Sequence, residues 1–289
     1  MNRTKYVTCI LLCALFSGMF YSCTSSKVQD EAISFGLNLP KGNSYLYTIN
    51  SAQDVSAMGS TMHQQSTIEV NYESLGDSNR APLIEATVRH IVLSVNSPAM
   101  KLSFDSRSGS TPNPSLPAVS EMLALANQTF KIQLDSNGRI RQVYPVRPAS
   151  GNNRDTVLTQ LLQQSLAFYP GHPVKIGDSW TSTVSMPVQE INAELKTTYT
   201  LTARHGDTAI IGALAELKSP KKTLVLNQTK MSIEMNGAQK GTLKVYIPEG
   251  RLLNATFSSK INGLMEANGQ TLQSNTEGQS TISSEKMNK

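Results

Sequence analysis

Strict alternation of apolar and polar residues is the feature that most limits how this chain can fold. The longest alternating run spans residues 191–203, and shorter runs begin at Tyr45, Ile68 and Met100. A period of two places successive side chains on opposite faces of a strand. The pattern therefore predicts strands with one buried face and one solvent-exposed face.

Turn residues lie between these runs. The pairs Asn137-Gly138, Asn236-Gly237 and Asn268-Gly269 are typical of two-residue hairpin turns, because Asn and Gly tolerate the positive φ angles that such turns require. The parity of the apolar residues also changes between Val88 and Ile91, which indicates either a β-bulge near Arg89-His90 or a segment covered on both faces; we favour the bulge. Antiparallel neighbours are therefore expected.

Two segments depart from the period of two and predict helices. Residues 116–128 follow a helical spacing after Pro117, and residues 153–169 carry a stripe of leucines that ends at Pro170. The expected fold is mainly β, a curved antiparallel sheet or half-barrel of about ten or more strands with one or two packed helices. Core packing is the ordinary role of the second helix, and a lid over a cavity is the functional alternative.

An internal duplication is a further hypothesis. Three sequence pairs occur in the same order in the two halves of the chain. They are Gly42-Asn43-Ser44 with Gly177-Asp178-Ser179, Gly76-Asp77-Ser78 with Gly206-Asp207-Thr208, and Gly138-Arg139-Ile140 with Gly250-Arg251-Leu252. If the halves are related, their strands should follow the same order.

The first residues have the layout of a secretory signal peptide. Arg3 and Lys5 precede an apolar run from Val7 to Tyr21, which is shorter than the roughly 20 residues of a spanning helix. Residues 1–22 are therefore expected to be removed.

The sequence Phe20-Tyr21-Ser22-Cys23 resembles a lipobox, in which the cysteine thiol takes a diacylglyceryl group before cleavage. An ordinary signal peptide followed by an incidental cysteine is the alternative. Lipidation at Cys23 implies a bacterial cell-envelope protein held on a membrane, with the outer membrane favoured over the inner membrane. Cys23 would be the only cysteine of the mature chain, which excludes an intramolecular disulfide.

The predicted domain organisation follows from these boundaries. Residues 23–40 are expected to form a flexible tether, residues 41–148 the first β half, residues 170–283 the second β half in one compact domain with the first, and residues 284–289 a disordered tail.

Charge gives little indication of a polyanionic partner. Loss of residues 1–22 leaves 24 basic and 21 acidic side chains. A nucleic-acid reader would carry clustered Lys and Arg or stacking aromatic residues, and neither pattern occurs, so no nucleic-acid partner is expected.

The segment from Tyr169 to Trp180, which includes Pro-Val-Lys-Ile-Gly-Asp-Ser-Trp, resembles a group of uncharacterised bacterial envelope lipoproteins. In strand pattern the chain also resembles the lipoprotein-carrier half-barrels, which implies a hydrophobic cavity. From the residues themselves, Gly177 and Asp178 should form a turn and Trp180 should bury its ring at the start of a strand. These three residues are therefore expected to be structural.

No catalytic or metal-binding motif is evident. The four histidines lack metal-ligand spacing, the nucleophile-elbow and nucleotide-binding motifs are absent, and no cofactor is expected. A Ser/His/Asp triad assembled by folding remains open, with His172 and Asp178 as the one compact candidate. Thr156 and Thr208 fit a pattern of bacterial O-glycosylation acceptors, as candidate modification sites.

The sequence favours binding over catalysis, with an apolar sheet face and two helices enclosing a hydrophobic or glycan-type ligand. A membrane-anchored carrier of this kind should contain an apolar pocket of roughly 300 Å³ or more. The alternatives are an envelope hydrolase, which needs a histidine bonded to a carboxylate and a hydroxyl, and a structural or assembly subunit.

Overall fold

A computed structural model describes residues 31–34, 36–78, 81–108, 125–135, 140–146, 168–188, 191–226, 229–267 and 269–287. By its contacts the chain divides into two units, Met1–Glu31 and Ala32–Lys289. The sheet described below belongs to the second unit. Lipidation at Cys23 and the candidate acceptor Thr156 both lie outside the described residues.

Twelve strands account for most of the described residues. They are β1 (Ser44–Ala57), β2 (Ser60–Ser78), β3 (Ala81–Ser97), β4 (Met100–Asp105), β5 (Thr129–Leu134), β6 (Ile140–Pro145), β7 (Ser179–Val188), β8 (Ile191–His205), β9 (Thr208–Leu226), β10 (Thr229–Tyr246), β11 (Arg251–Ala267) and β12 (Gln270–Met287). A short 3-10 turn, Ile247–Glu249, precedes β11. The prediction of a mainly β protein is confirmed.

The strands form one open antiparallel sheet in the order β6-β5-β3-β2-β1-β12-β11-β10-β9-β8-β7. β4 and β5 both pair with β3, β5 with residues 83–87 and β4 with residues 92–97. The first and last strands are central neighbours, since Ser44 pairs with Met287 and Ala57 with Ser274. The expectation of a disordered tail over 284–289 is therefore wrong as far as Met287, because these residues complete the ladder against β1. A tail adjacent to the start of β1 gains backbone hydrogen bonds that its polar composition does not reveal.

The predicted turns and bulge have mixed outcomes. Gly269 has a φ of 76° between the paired residues Ala267 and Gln270, as a hairpin requires. The register between β2 and β3 shifts opposite Arg89, which confirms the bulge. Asn236-Gly237 was expected to turn but lies inside β10, where long pairings with β9 and β11 override the local preference. Asn137-Gly138 lies outside the described residues.

One face of the sheet packs into an apolar core near the start of β1. The segment expected to be a flexible tether contributes to this core from Ile33 onward, since Ile33, Leu37 and Leu39 are buried and Ile33 bridges Val174. That part of the tether prediction is wrong, because three apolar side chains in a polar stretch are enough to anchor it. Of the two predicted helices, only the ends at 125–128 and 168–169 are described, and Leu125, Phe168 and Tyr169 are buried.

The turns that precede β1 and β7 share one hydrogen-bond pattern. The amides of Asn43 and Asp178 each donate to a carbonyl three residues earlier, at 3.1 and 3.0 Å. The amides of Gly42 and Gly177 each donate across to the next strand, to Ser74 and Leu201, at 2.8 Å in both cases.

The strand order also agrees between the halves. In the first half β1, β2, β3, β5 and β6 are lateral neighbours in chain order, as β7, β8, β9, β10 and β11 are in the second; β4 in the first half and β12 in the second have no counterpart. This agreement supports the duplication hypothesis.

Candidate functional site

The two faces of the sheet differ along the length of β1. Tyr45 and Tyr47 are buried, and Ile49, Ser51, Gln53 and Val55 are half-buried. The alternate residues Asn50, Ala52, Asp54 and Ser56 are exposed. We call the first side the inner face and the second the outer face. The base of the sheet is the end at which β1 begins, and the tip is the end that carries the β1–β2 turn.

The base of the inner face is a packed core. Ala255, Leu243 and Ile211 are buried in one register row across β11, β10 and β9. Tyr169 closes this region, and its hydroxyl donates a 2.7 Å hydrogen bond to the carbonyl oxygen of Gly250. Burial raises the pKa of Tyr169 well above its usual value, so the phenol stays neutral. The base is therefore a structural region.

A polar belt crosses the inner face above this core. Gln64, Gln53, Gly278, Ser259, Gln239, Ala215 and Thr197 follow one another in register from β2 to β8. The row below it contributes Ser66, Ser51 and Ser280. We define the polar belt as the side chains of Ser51, Gln53, Gln64, Ser66, Thr197, Gln239, Ser259 and Ser280. All are half-buried except Thr197, which is buried.

Most amides of the belt are unused by the protein. The Gln53 amide lies 3.4 Å from the Ser51 hydroxyl, a long hydrogen bond. Within the described part of the chain, the side chains of Gln64 and Gln239 make no hydrogen bond to another protein group. These amides therefore offer donors and acceptors to water or to a ligand.

Apolar side chains continue the inner face towards the tip. The upper apolar zone consists of Val55, Met62, Leu195, Leu217, Ile233, Met235, Ile261, Met265 and Leu272, and all but the buried Leu217 are half-buried. Three of these nine are methionines, whose flexible thioether chains adapt to differently shaped partners. The zone therefore presents a hydrophobic surface that does not require one precise ligand shape.

Two glycines on β10 leave space on the inner face for side chains of β11. A methyl group at Gly241 would overlap the ring of Phe257, its partner on β11, and one at Gly237 would lie 2.9 Å from Ile261. The Phe257 and Ile261 side chains therefore lie across the β10 backbone. Glycine in a strand often marks a place where another group approaches the backbone closely.

Charge separates the two faces. From the row of Ser66 to the row of Met62, the described inner positions between β2 and β7 include no Asp, Glu, Lys or Arg. At the same height the outer face carries Lys196, Glu216, Lys260 and Glu277, and Lys260 pairs with Glu277 at 2.8 Å. The Glu277 carboxylate raises the pKa of Lys260. In these three rows the inner face is therefore neutral and the outer face is charged; closer to the tip, Lys222 is the register partner of Ile233.

The outer face also has an open groove of about 680 Å³. Its lining includes the apolar side chains of Ala213, Leu214 and Phe257, the polar side chains of Lys240 and Gln279, and six hydroxyl-bearing side chains, those of Thr198, Thr200, Thr202, Thr242, Thr256 and Ser258. Because Lys240 and six hydroxyl groups border it, we consider it a weaker candidate for a hydrophobic ligand than the uncharged rows of the inner face.

The described histidines do not form a hydrolase site. His90 Nε2 lies 2.8 Å from Asp105 and its Nδ1 lies 3.5 Å from Glu69, while Arg107 pairs with Glu69 at 2.6 Å. His63 contacts Asp54 at 2.6 Å on the exposed surface. Among the described residues no histidine is bonded to both a carboxylate and a hydroxyl, and no cluster of metal-ligating side chains occurs. The geometry that the hydrolase alternative needs is absent from this part of the chain.

The residues singled out from the sequence lie in the turn before β7 and at the start of β7, where Trp180 pairs with Tyr199 in the same register row as Ser51 and Ser66 of the belt. Gly177 has a φ of 95°, and a carboxylate oxygen of Asp178 accepts a 2.8 Å hydrogen bond from the amide of Lys175. Trp180 is buried, and its Nε1 donates to the carbonyl oxygen of Phe168 at 2.8 Å. His172 is exposed in the same loop.

The candidate acceptor Thr208 begins β9 opposite Tyr246 and is half-buried. The polar belt was not predicted from the sequence. Its signal was the continuation of the inner parity of β1 from Ile49 through Ser51 and Gln53.

The comparisons with known proteins give a family match over part of the chain. Residues 150–250 match the model of a family of unknown function, DUF6263. No curated protein matches the chain. In the described part of the chain, no helix is long and apolar enough to cross a membrane.

Solved structures show resemblance in fold. A structure of lipovitellin that describes its lipid–protein interactions aligns with a TM-score of 0.50 and 9% identity, covering 85% of this chain and 25% of that chain. This chain thus spans a quarter of that protein's length. An outer membrane channel of Pseudomonas putida F1 aligns at a TM-score of 0.31 with 9% identity, covering 86% of this chain and 97% of the channel. A DUF1329 family protein of Desulfovibrio piger aligns at 0.15 with 8% identity, covering 82% and 84%.

Proposed function

We propose that this protein is a lipid-anchored cell-envelope protein that binds a hydrophobic ligand along the inner face of its sheet. Its role would be binding or carriage, without catalysis. The lipid anchor would be formed at Cys23, and the outer membrane is the favoured location.

One observation carries the proposal. Half-buried apolar side chains make up the upper apolar zone, and the three described inner rows from Ser66 to Met62 at its base-side end contain no charged side chain. The opposite parity of the same strands is charged, so the neutrality belongs to one face and is not a property of the composition. Large apolar surfaces that remain accessible commonly mark sites for ligands or partners.

The fold supports the same function. An open antiparallel sheet offers one continuous face, long enough for an elongated ligand, in contrast to a closed core. The lipovitellin structure shares the fold over 85% of this chain, and its description concerns lipid–protein interactions in that protein. For this chain, lipid remains a proposed ligand class.

A matched pair of lysine substitutions tests the proposed face. Val55 is half-buried on the inner face, and its neighbour Ser56 is exposed on the outer face. With the apolar dye N-phenylnaphthylamine, we expect saturable fluorescence enhancement for the wild type and for Ser56→Lys. Val55→Lys should weaken binding by about tenfold or more, because a charged side chain beside an apolar ligand loses hydration. Equal binding by both variants, or no binding by the wild type, would contradict the proposal.

The anchor requires a separate experiment. Wild-type protein expressed with its first 30 residues should partition into the detergent phase of a Triton X-114 extract and carry the mass of a lipidated cysteine. Cys23→Ala should move to the aqueous phase. Unchanged partitioning of this variant would remove the anchor from the proposal and leave ligand binding to be judged by the dye titration.

A further inference from the structure

The polar belt lies between the packed core at the base and the upper apolar zone. Towards the base it is followed by Ile49, Ile68 and Ile282, which are half-buried, and towards the tip by Val55 and Met62. Successive rows on one face of a strand are about 7 Å apart. A ligand that lies on the upper apolar zone therefore meets the belt at its base-side end.

The belt carries neutral hydrogen-bonding groups. The amide nitrogens of Gln64 and Gln239 each bear two N–H donors, and the hydroxyls of Ser259 and Ser280 can donate as well. Within the described residues, neither of these glutamines has a protein partner for its side chain. Unused donors in a half-buried apolar setting match an acceptor such as an ester or amide carbonyl.

Charge complementarity excludes an ionised group at this position. No Lys or Arg lies in the described inner rows from Ser66 to Met62, so a phosphate or carboxylate would lose its hydration without an ion pair. The nearest inner-face cation towards the base, Arg251, is already paired with Glu249 at 2.8 Å. The belt thus fits an uncharged acceptor.

We infer that the ligand is a neutral acyl ester of the diacylglycerol class, whose carbonyl groups bind the polar belt while its hydrocarbon lies on the upper apolar zone. This inference rests on the proposed hydrophobic-ligand function and adds the chemical class of that ligand. The glutamines and serines of the belt act as the specificity-determining residues.

Competition for the bound dye tests the class with the intact mature protein. Three competitors are compared in the same mixed micelles: dioleoylglycerol, hexadecane and the anionic lipid phosphatidylglycerol. Dioleoylglycerol should displace the dye at a concentration at least about tenfold lower than either of the others, in line with one to two added hydrogen bonds. Equal displacement by hexadecane, or preference for phosphatidylglycerol, would overturn the inference.

Substitution of the belt gives the second readout. The double variant Gln64→Leu/Gln239→Leu removes amides and keeps approximate side-chain volume, and Gln65→Leu/Gln279→Leu makes the same change at exposed outer positions. The belt variant should lose about tenfold in dioleoylglycerol affinity and retain its dye affinity, while the outer variant should retain both. An unchanged preference for dioleoylglycerol in the belt variant would contradict the inference.

The dye and competition experiments distinguish failure of the ester class from failure of hydrophobic binding. If the wild type binds the dye and Val55→Lys does not, but the three competitors are equivalent, hydrophobic binding stands and the ester class is wrong. If the wild type does not bind the dye, the proposed function and the inference both fall.

Discussion

The indole Nε1 of Trp180 donates a 2.8 Å hydrogen bond to the carbonyl oxygen of Phe168. Both residues are buried, and the Trp180 ring stacks on Tyr199 with a centroid distance of 5.9 Å. The bond joins the first residues of β7 to the segment before Pro170. It explains why a tryptophan rather than a phenylalanine stands at the start of this strand.

Two substitutions of Trp180 should therefore separate the contribution of its hydrogen bond to stability from that of its buried ring. Trp180→Phe keeps an aromatic side chain and leaves the Phe168 carbonyl without its donor, so it should lower the free energy of unfolding by about 1–3 kcal/mol. Trp180→Ala should cost about 3–5 kcal/mol through the cavity as well. Urea denaturation measures both. The exposed neighbour Thr181→Ala serves as the control, and a Trp180→Phe variant as stable as this control would contradict the assignment.

Gly241 predicts a second effect on stability. Its added methyl group would overlap the Phe257 ring, so Gly241→Ala should destabilise the protein by about 1–3 kcal/mol. Gly212 lies on the neighbouring strand, where a methyl group would meet Thr202 at 3.4 Å, an ordinary contact. Gly212→Ala should therefore be neutral or stabilising by up to about 1 kcal/mol. Thermal unfolding of the pair checks the prediction, and the reverse order of stability would refute the packing described for the inner face.

The β1–β2 turn predicts a stabilising substitution. Met58 has a φ of 52° and Gly59 a φ of 74°, and Met58 is 76% exposed. Methionine disfavours a positive φ, whereas Asn-Gly is the preferred pair in such turns. Met58→Asn should raise the free energy of unfolding by about 0.5–1 kcal/mol. Met62→Asn, which removes a half-buried apolar side chain, should destabilise the protein, and a loss of stability in Met58→Asn would contradict the turn geometry.

Asp105 predicts a pH dependence of stability. The backbone amide of Arg107 and the side chain of His90 hydrogen-bond to this carboxylate and lower its pKa. A lowered pKa in the folded state stabilises the protein above the ordinary value near 4 and loses this effect as the pH falls through the folded-state value. The stability difference between wild type and Asp105→Asn should therefore shrink between pH 6 and pH 2. Denaturation midpoints measured across that range test it; a difference independent of pH would contradict the account.

The fold was largely predictable because its strands obey a local rule. Alternation in 191–203 identified β8 and its buried face without any knowledge of its neighbours. The pairing of β1 with β12 was not predictable, because Ser44 and Met287 lie at opposite ends of the chain and neither carries a signal for the other.

The candidate site was harder to recognise for the same reason. Gln53, Gln64 and Gln239 are ordinary polar residues of three strands, and only the register places them in one row. The turn predicted at Asn236-Gly237 is wrong, because a local turn preference is weaker than long strand pairing on both sides of β10. Residues whose role depends on lateral neighbours are therefore the ones that sequence patterns miss.

Photo-crosslinking in the cell determines whether a lipid occupies the inner face. A benzophenone side chain placed at Ile261 would stand on the inner face, and the same group at Asn262 would stand on the exposed outer face. After irradiation, intact mass of the purified protein should show a lipid adduct for the Ile261 variant and none for the Asn262 variant. Equal adducts at both positions, or no adduct at Ile261, would contradict hydrophobic binding on the inner face.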